Sequence, residues 1–230
     1  MRSIIVVFGL VFLMMSCSSS TEALKPEENN PDALSYIALG DSYTIGESVS
    51  EDMRWPVQLV NQLRSKGAAI NSPKIIAKTG WTTDNLLNAM DANLENEKYD
   101  LVSVLIGVNN QYQNKSITDF EEDLDLIFSE AITLSANGKE GVFVVSIPDY
   151  GATPFGSSNS EEIGRVVEEF NGVLERVAGD YDLAFHNITP ISKRAKSDNS
   201  LVANDGLHPS SKMYKLWVDL FVDEVFAMLQ

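Results

Sequence analysis

What constrains this chain most is an alternation. Beyond residue 34, short runs of consecutive apolar, β-rich residues take turns with longer segments whose apolar residues recur at helical spacing. The strand candidates are 34–39, 74–77, 101–106, 141–147 and 183–185. Several are apolar at successive positions rather than at every second one, as in parallel strands covered on both faces. Phe120, Leu124, Ile127, Phe128, Ala131 and Leu134 form one helical stripe, with Thr118 and Glu121 spaced as a capping box and Asn137-Gly138 as a left-handed stop. Ile163, Val166, Val167, Phe170, Val173 and Val177 form a second, closing near Gly179. After Pro209, a third is set to bury Met213, Leu216, Trp217, Leu220 and Phe221. Shorter helices fit 56–63, with proline in the first turn, and 83–90. Without an internal repeat or a shift of composition, this order predicts one three-layer α/β domain over 34–230.

The residues before 34 obey a different logic. Arg2 precedes an apolar run over 4–15 and then Ser16-Cys17. Twelve helical residues rise roughly 18 Å, too little for a membrane core of about 30 Å, so 1–16 reads as a secretory signal. The run Leu13-Met14-Met15-Ser16-Cys17 resembles the lipobox of bacterial lipoproteins. That resemblance implies a lipid-modified Cys17, membrane attachment through it and a place in the bacterial cell envelope; the alternative is a plain signal peptide with an incidental cysteine. Residues 17–33, rich in Ser, Glu, Asn and Pro, cannot pack a core and are expected to be a flexible tether.

Composition closes off several function classes. Cys17 is the only cysteine, so neither an intrachain disulfide nor a four-thiolate zinc site is available. The net charge of −16 disfavours nucleic acid and anionic surfaces as partners. There is no HExxH or CxxC, and 91–100 fails as a calcium loop because Asn96 replaces the central glycine and the terminal glutamate is missing. Glu121, Glu122, Asp123 and Asp125 read as a solvated helix face. No metal or cofactor is therefore expected, and a monomer is.

In an open parallel sheet, functional groups gather at the carboxyl ends of the strands. Those rims carry Gly40-Asp41-Ser42-Tyr43-Thr44, Thr79-Gly80-Trp81, Gly107-Val108-Asn109-Asn110 and Ile147-Pro148-Asp149-Tyr150, and Asp205-Gly206-Leu207-His208-Pro209 precedes the last helix. A serine hydroxyl needs a base to become a nucleophile, and the chain has only His186 and His208. Asp205 lies three residues before His208, close enough to orient one ring nitrogen while the other faces a serine. His186 has no such neighbour and reads as structural. Ser42 follows a strand-ending glycine, and its N–H, the Gly80 N–H and the Asn109 amide can together form an oxyanion hole.

Four of these blocks, Gly40-Asp41-Ser42, Gly80, Gly107-x-Asn109 and Asp205-x-x-His208, together resemble the consensus blocks of the SGNH hydrolases, also called GDSL-type esterases and lipases, and the resemblance covers nearly all of 35–230. The resemblance implies a flavodoxin-like five-stranded parallel sheet of order 2-1-3-4-5. It also implies Ser42 as nucleophile, Asp205 and His208 as orienter and base, and Ser42, Gly80 and Asn109 as oxyanion donors. Residues 40–47, Arg54-Trp55-Pro56 and 107–112 look most like the lysophospholipase/thioesterase-like branch. Tyr43 stands where the family name has leucine, and Asn110 where many members carry aspartate. The expected activity is hydrolysis of an acyl ester, small, lipid or glycan. The alternatives are a carbohydrate O-acetylesterase, or a surface-binding lipoprotein without catalysis. Tyr43, Trp55, Trp81, Tyr112, Tyr150 and Phe155 are candidates to line an acyl pocket or stack on a sugar, and the Gly- and Ser-rich segment 150–160 is expected to be mobile and to shape access.

Overall fold

A computed structural model of the protein describes residues 30–94 and 97–230. The proposed signal segment and Cys17 lie outside the described residues, as does most of the proposed tether. Its described end, 30–33, is a turn tied to Asn71 by hydrogen bonds in both directions between Asn30 and Asn71.

Five strands form one parallel sheet: β1 Tyr36–Gly40, β2 Lys74–Ala77, β3 Leu101–Leu105, β4 Val142–Val145 and β5 Ala184–His186, in the order β2-β1-β3-β4-β5. Ile37 pairs with Lys74 on one side and Val102 on the other, and Val144 with Phe185. β1, β3 and β4 are buried at every position, which is why they read as runs of consecutive apolar residues, broken only in β3 by Ser103, whose hydroxyl is bonded to that of Tyr36. β2, at an edge, is half-buried throughout.

The chain adds α1 Ser42–Ile45, α2 Trp55–Ser65, α3 Thr83–Asn93, α4 Val108–Tyr112, α5 Ile117–Leu134, α6 Ser160–Asp180, α7 Thr189–Ser192 and α8 Ser211–Met228. α2 packs with α8, while α3 packs with α5 and α5 with α6, giving helical layers on the two faces. Each stripe supplies the contact. From α5, Phe120, Leu124, Ile127, Phe128 and Ala131 are fully buried, and each large side chain contributes roughly 1.5–3 kcal/mol.

Three local expectations differ from what is found. α5 is capped not by Thr118 but by Ser116, whose hydroxyl accepts from the Thr118 and Asp119 N–H groups. Its helix stops at Leu134 with an extended Ser135, and Gly138, at φ +59, instead opens a separate 3-10 turn before β4. Leu220 is half exposed on the outer side of α8, while Trp217, Phe221 and Val225 face the core.

Candidate active site

The predicted rim is one place. Ser42, Gly80, Asn109 and His208 line a single cavity of about 170 Å³, together with Tyr43, Thr79, Val108, Tyr112, Tyr150, Phe155 and Leu207. Residues 42 and 208 are distant in sequence, and the parallel sheet brings both to its carboxyl edge.

Gly40 makes the first turn possible. A Cβ there would lie 2.3 Å from the Leu105 carbonyl oxygen and from Thr44 Oγ1, so only glycine lets β1 end against β3 and bend at once. Asp41 caps the short α1, accepting from the Tyr43 N–H at 2.9 Å. Ser42 is the first helical residue, a position whose N–H has no intrahelical acceptor. Gly46 closes the turn in the left-handed conformation, its N–H donating to the Ser42 carbonyl.

The second and third loops are tied to each other. Gly80 has φ +84, and nothing stands within 4 Å of where a Cβ would be, so the loop is open there and its shape calls for glycine. Gln113 donates to the Gly80 carbonyl at 3.3 Å, and Asn109 Nδ2 to the Trp81 carbonyl at 2.9 Å. That bond fixes the Asn109 amide and uses one of its two N–H groups. Asn110, fully buried, grips the start of α3 at both ends. Its Oδ1 accepts from the Thr83 N–H at 3.0 Å and its Nδ2 donates to Thr83 Oγ1 at 2.6 Å. An aspartate could accept but not donate. Thr83 in turn donates to Asp123, so this carboxylate of α5 is a buttress rather than part of a solvated face.

The last loop carries His208 and Asp205. His208 Nδ1 lies 2.6 Å from Asp205 Oδ2, and Asp205 Oδ1 accepts from the Leu207 and His208 N–H groups, each at 2.9 Å. Ser48 Oγ donates to Asp205 Oδ2 at 2.7 Å. Burial pushes the Asp205 carboxyl up, but these donors outweigh it and hold it well below the usual carboxylate range. Asp41 behaves oppositely: wholly buried, with Oδ2 meeting no partner among the described residues, it is pushed up to about 7. The second histidine, His186, ends β5 away from the cavity, stacked on Phe221 at 5.0 Å with Phe143 at 5.6 Å. Burial lowers its pKa, with Glu224 opposing. Its surroundings are those of a core residue.

Of the rim aromatics, Tyr43, Tyr112, Tyr150 and Phe155 line the cavity, and Tyr112, Tyr150 and Phe155 form a cluster with ring centres 6.2–6.3 Å apart. Trp55 does not reach it; it is buried in the core edge-on to Phe143 and Phe221. Trp81 contributes its carbonyl to Asn109 rather than its ring to the cavity. Segment 150–160 is built from two 3-10 turns, with Tyr150 and Gly151 buried, and is pinned to the base loop by the Phe155 N–H on the Gly206 carbonyl at 2.9 Å. Beyond it lies a larger polar cavity of about 540 Å³, lined by Ser157, Ser158, Asn159, Lys196 and Asn199 among others, which holds none of the predicted site residues.

The parts played by Ser48 and Thr83 have no signal in the sequence, and Asp123 reads there as solvated surface. Thr83 sits at a helix start and Ser48 in a polar turn, so neither carries a periodic signal; only the folded chain supplies their partners.

The geometry can be set beside known proteins. The sequence profile described as "GDSL-like Lipase/Acylhydrolase family" matches residues 38–216. A crystal structure of TesA is similar at 18% identity and TM-score 0.66, covering 85% of this chain and 99% of that one. The psychrotrophic esterase EstA from Pseudoalteromonas sp., inhibited by monoethylphosphonate, is similar at 19% identity and TM-score 0.65, covering 85% of this chain and 98% of that one. A variant of Axe2, an acetyl xylan esterase from Geobacillus stearothermophilus, is similar at 18% identity and TM-score 0.65, covering 84% and 94%. No curated protein matches the sequence. The four rim blocks, the sheet order and the profile agree: the chain belongs to the GDSL-like lipase/acylhydrolase family, the SGNH hydrolases, and is an ester-bond hydrolase.

Proposed function

We propose that the protein is a serine esterase of acyl esters with Ser42 as nucleophile, His208 as base and Asp205 as its orienting carboxylate. The observation that carries this reading is the shared cavity of Ser42 and His208, with Asp205 held against the far ring nitrogen of His208. Ser42 Oγ attacks the acyl carbon and gives its proton to His208 Nε2, while the carbonyl electron pair moves onto oxygen. That oxyanion is held by the Ser42 and Gly80 N–H groups and by the remaining N–H of Asn109 Nδ2. Collapse expels the alcohol, which takes the proton from His208. Water then enters with its proton passing to His208, the acyl–serine bond breaks, and Ser42 recovers the proton as the acid leaves.

The cavity lining contains no carboxylate, lysine or arginine side chain, and Val108, Leu207 and the aromatic cluster make it apolar. It favours an uncharged acyl group of modest size. The inhibition of EstA by monoethylphosphonate accords with a serine nucleophile in the same fold. A carbohydrate O-acetylesterase is the second reading, favoured by the hydroxyl- and amide-lined cavity just beyond the 150–160 segment and by the similarity to an acetyl xylan esterase. A series of p-nitrophenyl esters from acetyl to dodecanoyl, beside an acetylated xylo-oligosaccharide, separates them. The acyl-esterase reading predicts kcat/KM rising from acetyl to butyrate or hexanoate and then falling; the best rate on the acetylated sugar contradicts it. The reading includes export and anchoring through Cys17, which rests on the sequence of the first seventeen residues. Among the described residues no helix is long and apolar enough to cross a membrane.

A further inference from the structure

We infer that Ser48 is a positioning residue of the hydrolytic site: its hydroxyl holds Asp205 from the side of the nucleophile turn and sets how strongly that carboxylate grips His208. The inference rests on the roles proposed above for Ser42, Asp205 and His208.

Three observations support it. First, Ser48 Oγ and His208 Nδ1 share one carboxylate oxygen, Oδ2, at 2.7 and 2.6 Å. The other donors to Asp205, the Leu207 and His208 N–H groups, come from the base loop itself, whereas Ser48 reaches across from the other side of the site. Second, Ser48 has φ +66, the left-handed region that favours glycine. Nothing in the backbone calls for serine there; the hydroxyl is what the position supplies. Third, the turn that carries it is fixed to the site at other points. The Gly46 and Glu47 N–H groups both donate to the Ser42 carbonyl, and the Glu47 carboxylate accepts from Thr79, in the loop that leads to Gly80. One short turn therefore touches the nucleophile, the oxyanion loop and the orienting carboxylate.

The consequence is electrostatic as well as geometric. A hydroxyl donating to Oδ2 draws off part of the negative charge that would otherwise stabilise a protonated His208. Removing it leaves Oδ2 undivided on the imidazole, so the acid limb of kcat/KM moves to higher pH. It also frees the carboxylate to rotate, which lowers kcat without touching substrate binding. Ser48 is exposed, so solvent partly replaces the hydroxyl and the effects are moderate. The other titratable groups around His208 are Tyr43, with its ring 5.3 Å away, and Tyr112, Tyr150 and Asp149 on the adjoining cavity walls. Asp41, Tyr214 and Glu47 act on the same cluster.

The test is the pH profile of kcat/KM for p-nitrophenyl butyrate, with the thermal midpoint, in wild type, Ser48→Ala, Ser48→Gly and Asp205→Asn. Both position-48 variants are expected to lose kcat severalfold at unchanged KM and to shift the acid limb upward by a few tenths of a pH unit. Ser48→Gly is expected to keep or gain thermal stability, since glycine suits the left-handed turn. A glycine variant with wild-type kcat and acid limb would overturn the inference, even if the alanine variant melts earlier, because the role would then be structural. If Asp205→Asn is crippled and both position-48 variants are wild type, Ser48 alone is misassigned. If Asp205→Asn is fully active, the triad reading falls and the inference with it.

Discussion

The turn after β1 and the loop before α8 each place an aspartate beside the cavity, and they treat it in opposite ways. Asp205 is partly exposed and receives four hydrogen bonds, two on each oxygen, so its carboxyl stays ionised far below the usual range. Asp41 is wholly buried, has one oxygen on the Tyr43 N–H and the other without a partner among the described residues, and is pushed up to about 7. The contrast shows that two carboxylates beside one cavity can be held in opposite protonation regimes, and only Asp205 suits the orienting role proposed for it. Stabilising an imidazolium takes a fixed anion, and donors, not burial, keep an anion at neutral pH. Asp41 instead caps a one-turn helix and shapes the nucleophile turn.

Substituting each aspartate in turn separates the two environments by their effect on turnover. Asp205→Asn is expected to lower kcat by about 10³–10⁴. Asn109→Ala falls below that, at about 10²–10³ with KM little changed, because it removes one of the three proposed oxyanion donors. Asp41→Asn keeps the oxygen that caps Tyr43 and should stay within severalfold of wild type. Steady-state hydrolysis of p-nitrophenyl butyrate ranks the three, and a ranking with Asp41→Asn lowest would reverse the roles assigned to the two loops.

Stability against pH gives a smaller but independent contrast. Asp205 has a folded pKa below its ordinary 3.8, so its contribution is complete above that value and fades as acid titrates the folded carboxylate. Asp41 has a folded pKa above 3.8, so folding is favoured while the folded carboxyl stays protonated, and that advantage is lost as pH rises from about 4 through about 7. Urea midpoints should therefore show Asp41→Asn gaining on wild type across that interval, and Asp205→Asn showing no such trend there. A flat difference for Asp41→Asn would mean that its carboxyl titrates normally.

How much of this was legible beforehand follows the kind of signal each residue carries. β3 and β4 announce themselves because both faces are covered, and α5 and α6 because one face is. The rim blocks are legible because glycine, asparagine and histidine interrupt those patterns where strands end. Ends and buttresses are not. Thr118 with Glu121 has capping-box spacing, but Ser116 lies two residues earlier and takes the cap. Trp55, flanked by Arg54 and Pro56, resembles a rim residue, yet α2 turns its ring onto Phe143 and Phe221. Asn110 becomes intelligible only beside Thr83, and Ser48 only beside Asp205, since each pair is assembled by packing between loops remote in sequence.

The proposed chemistry requires Ser42 to be the nucleophile and His208 to activate it. Its most direct test is reaction of the folded protein with a fluorophosphonate, read by intact mass and peptide mapping, in wild type, Ser42→Ala and His208→Ala. One adduct on Ser42 is expected, absent from Ser42→Ala and formed far more slowly in His208→Ala. An adduct on another residue, or active protein that never labels, would contradict it.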